Sequence, residues 1–147
     1  DYVTLFEPTS TEMELAGQGY ILCSIGEESG EIPYTAYFAA GDYMEKNPEI
    51  IQKFTNAIYQ GQQWVMTHTD AEVAEALAPY FPDTDLSVLE TVSARYRSIG
   101  AWNETPAMGE EGLNRLQDVM EEAGELQERV EFQQLVDNSY AEKAVNS

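Results

Sequence analysis

The sequence has 147 residues, 43% hydrophobic and 11% aromatic, enough to fill a core and too apolar for a disordered chain. Seven Lys and Arg stand against 27 Asp and Glu, a formal charge of −20. A field of that sign repels phosphate backbones and anionic lipid headgroups, so neither nucleic acid nor a membrane surface is an expected partner.

Tyr2-Val3-Thr4-Leu5-Phe6 is β-branched and aromatic and stops at Glu7-Pro8, which predicts a short strand ending at a turn. It begins at once after Asp1, the pattern expected of a processed or truncated chain that starts inside a fold. Thr9-Ser10-Thr11-Glu12 supplies helix-capping residues, Met13 to Ala16 continue a short helix, and Gly17 and Gly19 end it. The apolar run over residues 20–25 predicts a buried strand, and 32–40 reads as an aromatic-rich extended segment.

From there the pattern is helical. Asn47-Pro48 starts a helix over 48–67, with Ile51, Phe54, Ile58 and Val65 spaced to form its buried face. Thr69 and Glu72 form a capping box for the next helix, which carries Val73, Leu77 and Phe81 and is broken by Pro79 and Pro82. Asp85 opens a third with Leu89, Val92, Tyr96 and Ile99 on one face and Gly100 as its stop. After a loop through Trp102 and Pro106, a fourth helix shows the stripe Leu113, Leu116 and Met120 and ends at Gly124. A final segment holds Phe132, Leu135 and Val136, and Ser139-x-x-Glu142 caps a terminal helix.

This order predicts an α/β chain, helix-rich, with a small incomplete sheet. Three strands are too few for the helices that follow, so an unpaired sheet edge or an open apolar face is expected, and with it self-association.

Chemical signatures are sparse. Phosphate-binding glycine loops, HExxH and GxSxG are absent. Asp83-x-Asp85-x-Ser87 begins like a calcium loop but lacks the glycine at its sixth position and has Ala94 at the twelfth. Glu110, Glu111, Glu121, Glu122, Glu125 and Glu128 read as solvated helix faces. The lone Cys23 excludes an internal disulfide and reads as a small buried hydrophobe. His68, the only histidine, reads as a surface or capping residue, and Trp64 as core or interface packing. No catalytic residue, metal or cofactor is expected.

Three residues are candidates for a ligand site. Glu7, at the carboxyl end of a predicted strand, either accepts hydrogen bonds from a ligand or caps the helix that follows. Tyr34, held by Pro33, is either a rigid aromatic wall or a core tyrosine. Trp102, in a loop beside Gly100, either stacks on a ligand or a partner or packs internally.

Several stretches in order carry a family likeness. They are Val3-Thr4-Leu5-Phe6-Glu7-Pro8, then Gly19-Tyr20-Ile21-Leu22, Gly30-Glu31-Ile32-Pro33-Tyr34-Thr35 and Asp42-Tyr43-Met44-Glu45-Lys46-Asn47-Pro48-Glu49. Ile50 to Ile58, Gly61-Gln62-Gln63-Trp64, Asp70 to Ala74 and Val130 to Ala141 continue it. Together they resemble nitrate/sulfonate/taurine-type (NitT/TauT, pyrimidine-precursor-binding-like) solute-binding proteins of ABC transporters. The resemblance implies the C-terminal half of a two-lobed type II periplasmic-binding-protein fold. Residues 1–32 would be the last strand–helix–strand part of the second lobe and the hinge, and 33–147 the mostly helical part of the first. It also implies an extracytoplasmic location (periplasmic, or as a cell-surface lipoprotein), a small-molecule solute in the cleft between lobes, an ABC permease as partner, and Glu7 and Tyr34 near that cleft.

Two other functions compete. One is a pyrimidine-precursor synthase-like enzyme, disfavoured because the cysteine-rich motif of that family is absent and Lys46, Lys53 and Lys143 lie in polar contexts. The other is a helical interaction module without a small ligand.

Overall fold

The structure, a computed structural model, describes residues 1–147. It is built from helices: α1 (Thr9–Leu15), α2 (Ile25–Glu28), α3 (Gly41–Lys46), α4 (Pro48–Thr67), α5 (Asp70–Leu77), a 3-10 turn (Ala78–Tyr80), α6 (Leu86–Ser98), α7 (Glu110–Glu122), α8 (Phe132–Leu135) and α9 (Ser139–Val145). There is no strand, so the expected α/β fold with a small sheet is corrected to an all-α one.

The physical reason lies in pairing. An extended run becomes a strand only when a neighbour takes up its N–H and C=O groups. Residues 2–6 and 20–24 are irregular and lie in no ladder, and Ile25 turns into α2 instead of ending a strand. Their side chains face solvent: Tyr2 and Tyr20 are each 90% exposed, and Val3, Phe6 and Leu22 are also open. The expected open apolar surface is therefore present. Cys23 is exposed rather than buried, because its run has no sheet to bury it.

The helices follow some of their local signals: Thr9 to Glu12 lie inside α1, whose N-cap is Pro8 without a side-chain bond, and Asp85 stands at the start of α6 but makes no side-chain cap. α4 runs unbroken over the expected residues. Its expected burial fails, however. No residue of α4 is buried, and Phe54 is 47% exposed, its ring edge-on to Tyr37 at 4.9 Å. Trp64 is likewise only partly covered. At α5 both halves of the capping box form: Thr69 Oγ1 accepts from the Glu72 N–H at 3.3 Å, and Glu72 Oε2 accepts from the Thr69 N–H at 2.8 Å. At α9 the expected Ser139 cap is replaced, because Asp137 Oδ1 accepts from the Ser139 N–H at 2.9 Å. α3 had no counterpart among the expected helices.

The chain divides into two units, residues 1–28 with 64–102, and 29–63 with 103–147. In the second, α7 buries Gly112, Leu113 and Gln117. The Gln117 side chain mimics a strand partner: its Nε2 donates to Val130 O at 3.2 Å and its Oε1 accepts from the Val130 N–H at 2.8 Å. Asn138 does the same for Met108, at 2.9 and 3.1 Å. These amide clamps hold irregular backbone whose polar groups would otherwise stay unpaired. Gly112 packs against the loop at Glu31 and Pro33, where a Cβ would meet Glu31 O and Pro33 Cδ at an ordinary contact distance of 3.5 Å.

In the first unit α5 packs on α6, and α1 also rests on α6. Val73, Ala74, Val88, Leu89 and Ser93 form the buried centre of that packing. Arg97 on α6 ties the end of α4 to the start of α5. Its Nη1 and Nη2 donate to Val65 O at 3.2 Å each, Nη2 to His68 O at 3.0 Å, and Nε to Asp70 Oδ1 at 3.0 Å. The last carbonyls of a helix have no partner within it, and a guanidinium supplies one while opposing the helix dipole. No helix is long and apolar enough to cross a membrane.

Candidate functional site

The first unit contains a cleft of about 210 Å³, lined by nine residues that include Glu7, Phe81, Tyr96 and Trp102. Its floor is α6. Leu89, Val92, Ser93 and Tyr96 recur at helical spacing, so one face of the helix presents all four. Leu77 at the end of α5 and Phe81 beyond the 3-10 turn form one wall, and Pro8 at the start of α1 contributes to another.

Trp102 reaches the cleft because α6 stops sharply. Gly100 adopts φ +67°, a left-handed conformation that costs glycine nothing. The Ala101 N–H then donates to Tyr96 O at 2.8 Å and the Gly100 N–H to Arg97 O at 3.2 Å, closing the helix end. The chain folds back, the Trp102 indole N–H donates to Ser93 O at 3.3 Å, and its ring meets Tyr96 edge-on at 5.6 Å. Trp102 is thus packed and also presented to the cleft.

Glu7 borders the same cleft, and its carboxylate is engaged within the protein. Oε2 accepts from the Thr11 N–H in the first turn of α1 at 3.1 Å. Oε1 lies 3.5 Å from Arg95 Nη1. Arg95 also grips Glu14 through Nη2. The Ile21 N–H donates to Glu14 as well, and this bond, then Arg95, holds the Glu14 carboxyl below its ordinary range. Ser93 Oγ donates to Asp70 Oδ1 at 2.8 Å. Thr11 Oγ1 and Arg95 Nη1 are the buried polar atoms near this clamp without a hydrogen-bond partner.

Glu7 and Trp102 therefore come together at one cleft. Tyr34 belongs to the second unit, is 77% exposed and is not among the lining residues. Sequence reasoning assigned Leu77, Phe81, Leu89, Val92 and Tyr96 only to helix faces; their joint presentation to a cleft had no local signal. Cys23 and His68 lie outside the lining. His68 caps α4 through Nδ1, 2.7 Å from Trp64 O, and stacks on Trp64 at 4.0 Å. No three His, Cys, Asp or Glu side chains are grouped so as to hold a metal ion.

The comparisons with known proteins add one likeness. The chain is 40% identical over 146 residues, 99% of its length, to the Bacillus subtilis (strain 168) protein named "Putative binding protein YtlA". It spans 44% of that relative's length. No family model matches the chain, and no solved structure matches it. The likeness to a protein named for binding agrees with the non-catalytic reading of the sequence.

Proposed function

We propose that the chain binds a small-molecule solute in the cleft of its first unit, as part of an extracytoplasmic solute-binding component of an ABC importer. The cleft itself carries the reading: a concave, largely apolar site with aromatic walls is the usual form of a small-ligand pocket. Likeness to a named binding protein supports it along nearly the whole chain. The importer role, the permease partner and the extracytoplasmic location rest on the motif resemblance described above. Catalysis is the weaker reading, since neither His68, Cys23 nor any lysine lines the cleft. The test is a thermal-shift screen of the chain against small solutes, with hits repeated on Trp102→Ala. A solute that raises the melting temperature of the parent and not of the variant supports the reading. A screen in which no solute raises it refutes the reading.

A second reading, self-association, is favoured by the exposed apolar side chains of residues 2–6 and 20–22. Two copies each carrying −20 repel one another, so a dimer should strengthen with salt. Light scattering at low and high salt tests this; a monomer under both conditions overturns it.

A further inference from the structure

The cleft of the first unit is lined by one ionised group, the Glu7 carboxylate. We infer that the cleft takes an organic ammonium group, a positively charged nitrogen with short carbon arms, held by that carboxylate and by the rings of Phe81, Tyr96 and Trp102; this names the ligand class of the binding reading above and rests on it.

The protein compensates the charge of Glu7 only in part. The side chain is 11% exposed, so water screens it poorly. Oε2 accepts from the Thr11 N–H at 3.1 Å. Oε1 lies 3.5 Å from Arg95 Nη1, and no hydrogen bond joins them, since that nitrogen has no hydrogen-bond partner. Arg95 gives its other terminal nitrogen to Glu14, so one guanidinium serves two carboxylates and the trio keeps a single net negative charge. No Lys, Arg or His lines the cleft. A cation entering it meets a carboxylate oxygen with acceptor capacity left, and an anion meets repulsion. The −20 of the whole chain pulls and repels in the same sense from further away. A neutral guest compensates none of that charge, and one without a donor also strips Oε1 of water.

The walls suit a cation that carries carbon. Tyr96 and Trp102 meet edge-on, with ring centroids 5.6 Å apart and planes at 87°, so the two rings form a corner. Phe81 adds a third ring to the lining. An aromatic face carries partial negative charge and attracts an ammonium within about 6 Å of its centre. Tyr96 also brings a hydroxyl, whose oxygen can accept as well as donate. Pro8, Leu77, Leu89 and Val92 offer carbon to methyl or methylene arms. The volume of about 210 Å³ is room for one ammonium with small substituents. The taurine-type side of the resemblance agrees with this, since taurine ends in an ammonium. Its sulfonate would have to lie outside a lining that offers it no cation.

The experiment compares choline, its neutral isostere 3,3-dimethylbutan-1-ol and the anion 3,3-dimethylbutanoate by calorimetry on the 147-residue chain. The expected result is choline binding roughly tenfold tighter than the isostere, and tighter still than the anion. Glu7→Gln keeps the shape of the side chain and removes its charge, so it should bring choline down to the level of the isostere. N-methylpyridinium, a cation that quenches tryptophan on contact, reports the site in a Trp64→Phe variant. Trp64 lies outside the lining, so Trp102 becomes the sole tryptophan. The quenching should saturate, and choline should relieve it. Should Glu7→Gln not fold, the preference of the parent among the three probes and the quenching decide. Equal or tighter binding of the isostere or the anion overturns the inference and leaves the binding reading standing. Choline binding that survives Glu7→Gln undiminished, or that leaves the quenching unrelieved, reflects the general field of the chain or a site elsewhere and overturns it too. If no probe binds while the solute screen gives a Trp102-dependent hit, only the inference falls; if both fail, both fall.

Discussion

Arg97→Ala should loosen the junction between α4 and α5 more than a surface arginine normally could. The side chain makes one contact to the Asp70 carboxylate and three to the carbonyls of Val65 and His68. Hydrogen bonds to charged groups contribute about 1.5–3 kcal/mol when shielded. Here the Arg97 side chain is 33% exposed and that of Asp70 26%, so water replaces part of what is lost. An expected cost of about 2–3 kcal/mol for the whole cluster follows after that discount. For a chain of this size, that lowers the melting temperature by roughly 5–10 °C. Urea unfolding followed by helix circular dichroism measures it. Arg97→Lys should recover less than half of the loss, because an ammonium lacks the planar fork that spans Val65 and His68 together. A double-mutant cycle with Asp70→Asn should show a coupling of about 0.5–1 kcal/mol. A loss under about 0.5 kcal/mol for Arg97→Ala, or full rescue by lysine, would refute the reasoning.

In the second unit, Leu113 is 5% exposed, and Leu113→Ala should cost about 2–5 kcal/mol by urea unfolding; under about 1 kcal/mol would mean that α7 is not anchored there. Phe54→Ala should cost only about 1–2 kcal/mol, since half of the ring already meets water; a loss of about 4 would indicate burial that the structure lacks. Acid should weaken the start of α5. The Glu72 carboxyl is held below its ordinary value of 4.5, first by the Thr69 backbone N–H and then by the Thr69 hydroxyl. A depressed folded pKa contributes stability that is present above 4.5 and is lost as pH falls through the folded value. Thermal melts of the parent against Glu72→Gln should therefore converge on acidification, and a constant gap between them down to low pH would contradict this.

What the sequence made legible was local. Thr69 and Glu72 stand three residues apart, so one turn of helix brings them together whatever the rest of the chain does. Asn47-Pro48 and Gly100 act on their own neighbourhoods in the same way, and the start of α4 and the end of α6 follow from them. Strands are the opposite case. The β-branched run at residues 2–6 has the right composition, but a ladder needs a partner strand that no local pattern specifies, and the structure provides none. The burial of α4 failed for a related reason. Periodicity shows which face is apolar, and it does not say how much of that face another element covers.

The candidate site divides along the same line. Glu7 and Trp102 stood out one at a time, by a turn and by a flat ring next to a glycine. What joins them to one cleft is α6, through Arg95 opposite Glu7 and through Ser93 O, which accepts the Trp102 N–H. That helix also settles how the carboxylate stands. Left alone, Glu7 would be a charged acceptor open to an amine. In the fold the Thr11 N–H meets one oxygen, and Arg95, shared with Glu14, lies near the other. The rest of the lining is mostly carbon, from Pro8, Leu77, Phe81, Leu89 and Val92, which come from separate elements and meet only because those elements pack around α6.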